Sequence, residues 1–270
     1  MREIDLLIRN AEAGNSDAQI NLGAAYREGQ GVPQDYSEAA KWYQKAAEQG
    51  DPIAQNNLGI MYTNGPGIPQ DYTKAVKWFR KAAEQGDKEG QLFLGLMYEK
   101  GQGVPQDYPE AAIWFRKAAE QGDRDGQMSI GLMYENGQGV SQDHAEAGKW
   151  YRRAAEQGHR DGQLYLGVMY EKGQGVPQDN AESAKWHQKA AKQGDSTSQL
   201  VLGVMYNAGL GVPEDFVQSY FWSSLAASRT SGEKHKRAAD VRDRSAHELS
   251  PEKLKEAQRM VQEWENICRR

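Results

Sequence analysis

Apolar and aromatic positions in this chain fall in short clusters separated by polar, glycine-rich breaks, and the clusters recur with a fixed period. Gly23, Gly59, Gly95, Gly131, Gly167 and Gly203 stand 36 residues apart. Tyr26, Tyr62, Tyr98, Tyr134, Tyr170 and Tyr206 keep that spacing, as do Trp42, Trp78, Trp114, Trp150, Trp186 and Trp222. Self-similarity at such a period marks a repeat architecture, each repeat being one supersecondary unit. Six units follow: 15–50, 51–86, 87–122, 123–158, 159–194 and 195–230.

Each unit reads as two helices, and the third shows why. Its first helix is predicted from about Lys88 to Lys100, with Leu94 and Tyr98 four apart on one face. Gly95 lies beside them, where a second helix can come close. The run Gly101-Gln102-Gly103-Val104-Pro105 ends that helix, since glycine suits a left-handed C-cap and proline cannot continue the hydrogen-bond ladder. Asp107 is a good N-cap for the second helix, and Glu110 completes the pattern of a capping box. Asp35/Glu38, Asp143/Glu146 and Asp179/Glu182 repeat that pair, whereas Asp71 is followed by Lys74. The second helix carries Trp114, Ala118 and Ala119 and stops at Gly122, so large aromatics face small alanines within and between units.

The ends depart from the pattern, as the terminal units of a solenoid do. Leu6, Leu7, Ala11 and Gly14 stand 36 residues before Trp42, Tyr43, Ala47 and Gly50, so residues 1–14 read as a truncated second helix over the first unit. In the last unit Phe221 and Leu225 replace Lys185 and Lys189. That apolar surface needs a cover, and the segment 231–270 offers two helices, about 232–247 and 251–268. Ser250-Pro251 opens the second, with serine as N-cap and proline at the first helical position. Leu254, Ala257, Met260, Val261 and Trp264 lie on one face of it. With both ends covered, the free protein is expected to be a monomer.

Composition narrows the function. Mean hydropathy is -0.86 and 38% of residues are apolar, too polar for one large core, yet 7 Trp and 13 Tyr exclude a disordered chain. Many small aromatic-anchored interfaces reconcile the two. A net charge of -5 argues against a general nucleic-acid binder, which needs a basic face for phosphate. No apolar run reaches the roughly 18 residues of a membrane span. Cys268 is the single cysteine, so an intrachain disulfide is excluded and a reducing compartment is permitted. The segment Met1 to Ile8 is broken by acids and does not read as a signal peptide. A cytoplasmic location follows if this start is native, a periplasmic or secreted one if a signal peptide was removed.

The run Ala54-Gln55-x-x-Leu58-Gly59-x-x-Tyr62-x-x-Gly65-x-Gly67-Ile68-Pro69-Gln70-Asp71-Tyr72, followed by Ala75-x-x-Trp78-Phe79-x-x-Ala82-Ala83-x-x-Gly86, resembles the Sel1-like repeat. Six consecutive copies, over roughly residues 15 to 230, make the resemblance specific. It implies an all-α fold: a right-handed α/α superhelical solenoid of six 36-residue helix–turn–helix repeats, related to the tetratricopeptide repeats, with first helices lining the concave face. It implies an adaptor that binds a protein or peptide, or an immunity protein that neutralises a secreted effector.

A residue present in every unit is needed by the fold, so a specific site should use positions that differ. The tetratricopeptide analogy places first-helix positions −6, −3, +1, +4 and +5, counted from the glycine, on the concave face. Leu92, Met128, Leu164 and Leu200 at −3 and Leu96, Leu132, Val168 and Val204 at +1 then form an apolar strip. Glu89, Asp125 and Asp161 at −6 and Glu99, Glu135 and Glu171 at +4 flank it with acid. Position −2 also varies, with Phe93 and Tyr165 among its occupants. Such a groove suits a basic, amphipathic segment: apolar anchors supply affinity and charge sets orientation.

Catalytic chemistry finds little support, and no cofactor or metal is expected. His144, His159, His187, His235 and His247 show no paired metal-ligand spacing. The GxG turns lack the strand–helix context and the lysine of a phosphate loop. His159-Arg160-Asp161 opens a helix and has no accompanying kinase motif. A cysteine-rich branch of the resembling family is described as β-lactamase-like or penicillin-binding. This chain lacks that branch's paired half-cystines and the SxxK motif that acylation would use.

Overall fold

Fifteen helices and no strand occur among residues 3–268, the residues described by the structure, a computed structural model. The side chain of Cys268, on which the reading of redox compartment rests, lies outside the described residues, as do Met1 and Arg2 of the N-terminal segment. After α1 (Glu3–Glu12) the helices come in pairs. These are α2 (Ser16–Glu28) with α3 (Tyr36–Glu48), α4 (Pro52–Asn64) with α5 (Tyr72–Glu84), and α6 (Lys88–Lys100) with α7 (Tyr108–Glu120). Then come α8 (Arg124–Asn136), α9 (His144–Glu156), α10 (Arg160–Lys172), α11 (Asn180–Lys192), α12 (Ser196–Ala208) and α13 (Phe216–Ser228). Two longer helices end the chain, α14 (Gly232–Glu248) and α15 (Pro251–Cys268). The chain forms two compact units, residues 1–142 and 143–270. Within each, consecutive helices pack on one another as far as α14, the arrangement of an all-α solenoid. Only α15 turns back, onto α13.

Local chemistry sets the helix limits. Asp87 caps α6 by accepting from the Gly90 N–H at 2.6 Å, and Gly101 closes it in the left-handed conformation at φ 65°. Asp107 accepts from the Glu110 N–H at 3.0 Å to start α7. The capping box predicted there is only half formed. The Asp107 N–H donates to the Tyr98 carbonyl of the preceding helix at 3.0 Å, so it has no need of Glu110. The Glu110 carboxylate accepts instead from the Trp114 indole at 2.9 Å. The Asp35 and Asp179 N–H groups likewise donate to the Tyr26 and Tyr170 carbonyls, leaving Glu38 and Glu182 to pair with Lys41 and Lys185. His159 serves as the N-cap of α10, its Nδ1 accepting from the Gly162 N–H at 3.1 Å.

Two contacts hold a repeat together. The first is aromatic against bare backbone: Tyr43, Phe79 and Phe115, all almost fully buried, lie on Gly23, Gly59 and Gly95. A Cβ on Gly95 would stand 2.6 Å from the Phe115 ring. The second is a glutamine staple. Gln55 donates to the Ala47 carbonyl at the end of α3 and accepts from Gln85 at the end of α5, at 3.2 and 2.8 Å. Gln19 and Gln91 in the first unit and Gln163 in the second make the same two bonds. Each staple ties three successive helices, and it satisfies a buried amide that would otherwise cost about 1–3 kcal/mol.

In α3, α5, α7, α9 and α11 a cation lies over the tryptophan, as with Lys45 over Trp42 at 3.8 Å and Lys117 over Trp114 at 4.0 Å. In α13 the lysine is replaced by Leu225, and α15 covers the place: Met260, Val261 and Trp264 pack on Phe221, Trp222 and Leu225. Trp264 meets both Phe221 and Trp222 edge-on at 5.9 Å. Met97, Met133 and Met169 are buried core residues.

Gly95→Ala is expected to destabilise the protein by roughly 1–3 kcal/mol, because Phe115 is fixed by packing and cannot yield. Urea unfolding followed by circular dichroism checks this; an unchanged midpoint would show that the ring moves aside freely.

Candidate functional site

The first-helix face carries the residues expected to bind a partner. In residues 1–142 it is formed by α2, α4, α6 and α8, and in residues 143–270 by α10 and α12. Position −3 lies deeper than position +1. Leu92 and Met128 are 9% and 7% exposed, whereas Leu96 and Leu132 are half-exposed. The −3 and +1 side chains, four residues apart, share one helical face and differ in depth. Phe93 stacks on Phe79, with ring centroids 5.1 Å apart and planes inclined by 14°, so it belongs in part to the core. Glu89 and Asp125 are exposed and Glu99 and Glu135 half-buried. Burial pushes the Glu99 carboxyl above the ordinary carboxylate range, and Lys100 offsets only part of the effect.

In residues 143–270, Leu164, Tyr165 and Val168 are half-exposed, and Tyr165 packs against Tyr151 with ring centroids 5.2 Å apart. Asp161 accepts from the Arg160 Nε at 2.9 Å, and Glu171 is exposed. Leu200 and Val204 have a different setting. They pack against Ala238 and Val241 of α14, which begins 36 residues after α12 and so lies where the first helix of a further repeat would. The chain itself therefore fills the last part of the strip.

Two polar departures within the core had a signal in the repeat alignment that sequence reasoning left unused. Asn56 stands at −3 among Ile20, Leu92, Met128, Leu164 and Leu200. It is buried, and its Nδ2 donates to Glu89 at 3.0 Å. His187 stands where other units have Tyr43, Phe79, Phe115 and Tyr151. It is fully buried, lies on Gly167 and shares a hydrogen bond with the Ser198 hydroxyl at 3.1 Å through Nδ1. Its Nε2 has no hydrogen-bond partner and lies 4.0 Å from a Glu171 carboxylate oxygen. Among the described residues no three His, Cys, Asp or Glu side chains are grouped to hold a metal ion, and no helix is long and apolar enough to cross a membrane.

The fold defines an α-helical repeat protein built of paired helices. Its six repeats match the Sel1 repeat at residues 16–51, 52–87, 88–123, 124–159, 160–195 and 196–231, and the chain belongs to the Sel1 repeat family. Sel1 repeats generally mediate protein–protein interaction and are generally not enzymes. The chain is similar to the Sel1 repeat protein from Oxalobacter formigenes: 38% identity over 82% of this chain and 87% of that one, with a TM-score of 0.70. It is similar to c5321, a protective antigen of uropathogenic Escherichia coli strains with an SLR fold, at 28% identity over 97% of this chain and 86% of that one, TM-score 0.44. It also matches the immunity protein Pa5087 from Pseudomonas aeruginosa at 21% identity over 84% and 83% of the two chains, TM-score 0.48. No curated protein matches the chain.

His187 makes stability depend on pH. Burial lowers its pKa from 6.5 to about 4, with Asp195 opposing slightly. Between those values the unfolded chain takes up a proton that the folded chain refuses. Stability is therefore full above about pH 6.5 and falls as pH drops towards 4, by up to about 3 kcal/mol from this group. Urea midpoints measured from pH 7 to pH 4.5 should decline less steeply in His187→Phe than in the wild type; parallel declines would show that His187 does not titrate in this window.

Proposed function

We propose that this protein is a non-catalytic binding module whose first-helix face receives a basic, amphipathic segment of a partner protein. The observation that carries this reading is the pairing of half-exposed apolar residues with under-solvated acid on one face. Leu96 and Leu132 are half-exposed beside a floor of buried Leu92 and Met128, and burial already raises the Glu99 carboxyl above its ordinary range. A partner's ammonium or guanidinium group brought against Glu99 would relieve that cost, since a neighbouring opposite charge favours the ionised carboxylate. Glu89 and Asp125 at the rim would add to the rate of encounter more than to affinity. In residues 143–270 the equivalent anchors are Leu164 and Val168, with Asp161 and Glu171 at the edge and Tyr165 beside them. Leu200 and Val204 contribute the seat of α14 rather than an open surface.

The variant that tests this leaves the buried floor intact. Leu96→Glu/Leu132→Glu changes only half-exposed positions and is expected to fold like the wild type by circular dichroism. Affinity capture from lysate of the source organism, read by mass spectrometry, should yield a protein bound by the wild type and reduced at least about tenfold by the variant. Equal capture by both would remove this face from the binding function.

A further inference from the structure

One register position of the second helices has lysine as the rule: Lys41, Lys77, Ile113, Lys149, Lys185 and Phe221, each 36 residues from the next. Two members are apolar. The residue four before each is apolar as well, Pro109 before Ile113 and Val217 before Phe221. At Phe221 the chain supplies a cover, since the amphipathic helix α15 seats Met260, Val261 and Trp264 there. At Ile113 it supplies none, and Ile113 remains 49% exposed.

The ground beside Ile113 is also shaped differently. A cleft of about 390 Å³ lies between α7 and the turn that carries Gly139 and Val140. The corresponding cleft between α11 and the turn of Gly211, Val212 and Pro213 is about 190 Å³. Lys185 stands there in place of Ile113, and Pro213 in place of Ser141. Five of the six turns have proline at this point, Pro33, Pro69, Pro105, Pro177 and Pro213, and the turn facing Ile113 is the exception. An exposed β-branched side chain, a wider cleft and a lost proline thus coincide where the third and fourth repeats meet. Arg116, Lys117 and Glu120 also line the cleft, Arg116 donating to the Tyr134 hydroxyl at 2.6 Å and Lys117 lying over Trp114. Glu110 is already bound to the Trp114 indole.

We propose that the Ile113 cleft is a docking site for an amphipathic helix of α15's kind, bearing a large apolar anchor and acidic residues along its edge. The anchor enters the cleft between Ala112, Ile113 and Val140, and the acids meet Arg116 and Lys117. The site lies on the second helices and is separate from the first-helix face.

The probes are two fluorescein-labelled peptides, one with the sequence of residues 250–266 and one with the same sequence carrying Lys253→Glu/Lys255→Glu. Fluorescence anisotropy should show saturable binding of both to the full chain, tighter for the acidic peptide at low salt. Ile113→Lys restores the residue of four other repeats and should fold; it should weaken binding at least about tenfold, or 1.4 kcal/mol. Ser141→Pro restores the residue of the other five turns and should weaken binding by a similar factor through the narrowed cleft. Leu96→Glu/Leu132→Glu should bind as the wild type does. Absence of binding up to about 1 mM, or about −4 kcal/mol, would overturn the proposal. So would equal affinity for the wild type and Ile113→Lys, which would place the peptide on α13 in exchange with α15. Loss of binding in Leu96→Glu/Leu132→Glu alone would move it to the other face.

Discussion

The missing Cβ at the first-helix glycine is the constraint on which each repeat rests. Gly23, Gly59 and Gly95 let Tyr43, Phe79 and Phe115 lie directly on the first helix, so the two helices come closer than side-chain packing would otherwise allow. That closeness buries an aromatic almost completely in a chain whose mean hydropathy is only -0.86. It also explains how a polar chain sustains a core: the buried rings, such as Phe115 and Trp114 of one repeat, remove much apolar surface from water at about 25 cal/mol per Å².

The same closeness creates a polar requirement that the glutamine staple meets. The last carbonyls of a second helix lack a full set of intrahelical partners; those of Ala47 and Ala83 accept from the turn N–H groups of Gly50 and Gly86 and can still take a second donor. Gln55 and Gln91 donate to the Ala47 and Ala83 carbonyls, and a glutamine from the following helix end completes each amide. Where the pattern lapses, the accounting changes. Arg229 stands where Gln193 stood one repeat earlier, and the Gln199 Oε1 is left buried without a partner. The helices that follow, α14 and α15, no longer repeat the pair packing of the rest: α15 returns to α13 instead of continuing the series.

Periodicity made the helices legible because each limit has its own chemical mark. Asp87 and Gly101 bound α6 at Lys88–Lys100, the limits read from sequence. Depth was less legible. Leu92 and Leu96 are both leucines at helical steps on one face, yet one is buried and the other half-exposed. Their difference is set by what packs over each, and the residues of one helix do not encode that. The half-formed capping box has a similar origin: the Asp107 N–H is satisfied by Tyr98 of another helix, a tertiary bond that outweighs the local motif. His187 was visible as a departure from Tyr and Phe, but its meaning needs its depth, because an exposed histidine there would have no reason to stay neutral.

Repeats supply their own controls, and departures from them divide into two kinds. Some are answered within the chain. Phe221 and Leu225 replace lysines and are covered by α15; Asn56 replaces an apolar residue and is held by Glu89; His187 replaces an aromatic and finds Ser198. Each has a contact within the chain, complete for Phe221 and Leu225 and partial for Asn56 and His187, whose Oδ1 and Nε2 stay buried without a partner. Ile113 is of the other kind. Its exposed face is answered by nothing on its own helix, and Lys117 one turn further on is already committed to Trp114. Lysine at that place would raise solubility without disturbing the fold, as it does in four other repeats, so an exposed isoleucine there contributes nothing to folding that lysine would not. A departure without an internal answer points outside the chain, and that is the physical ground for separating residues that build this solenoid from residues that meet a partner.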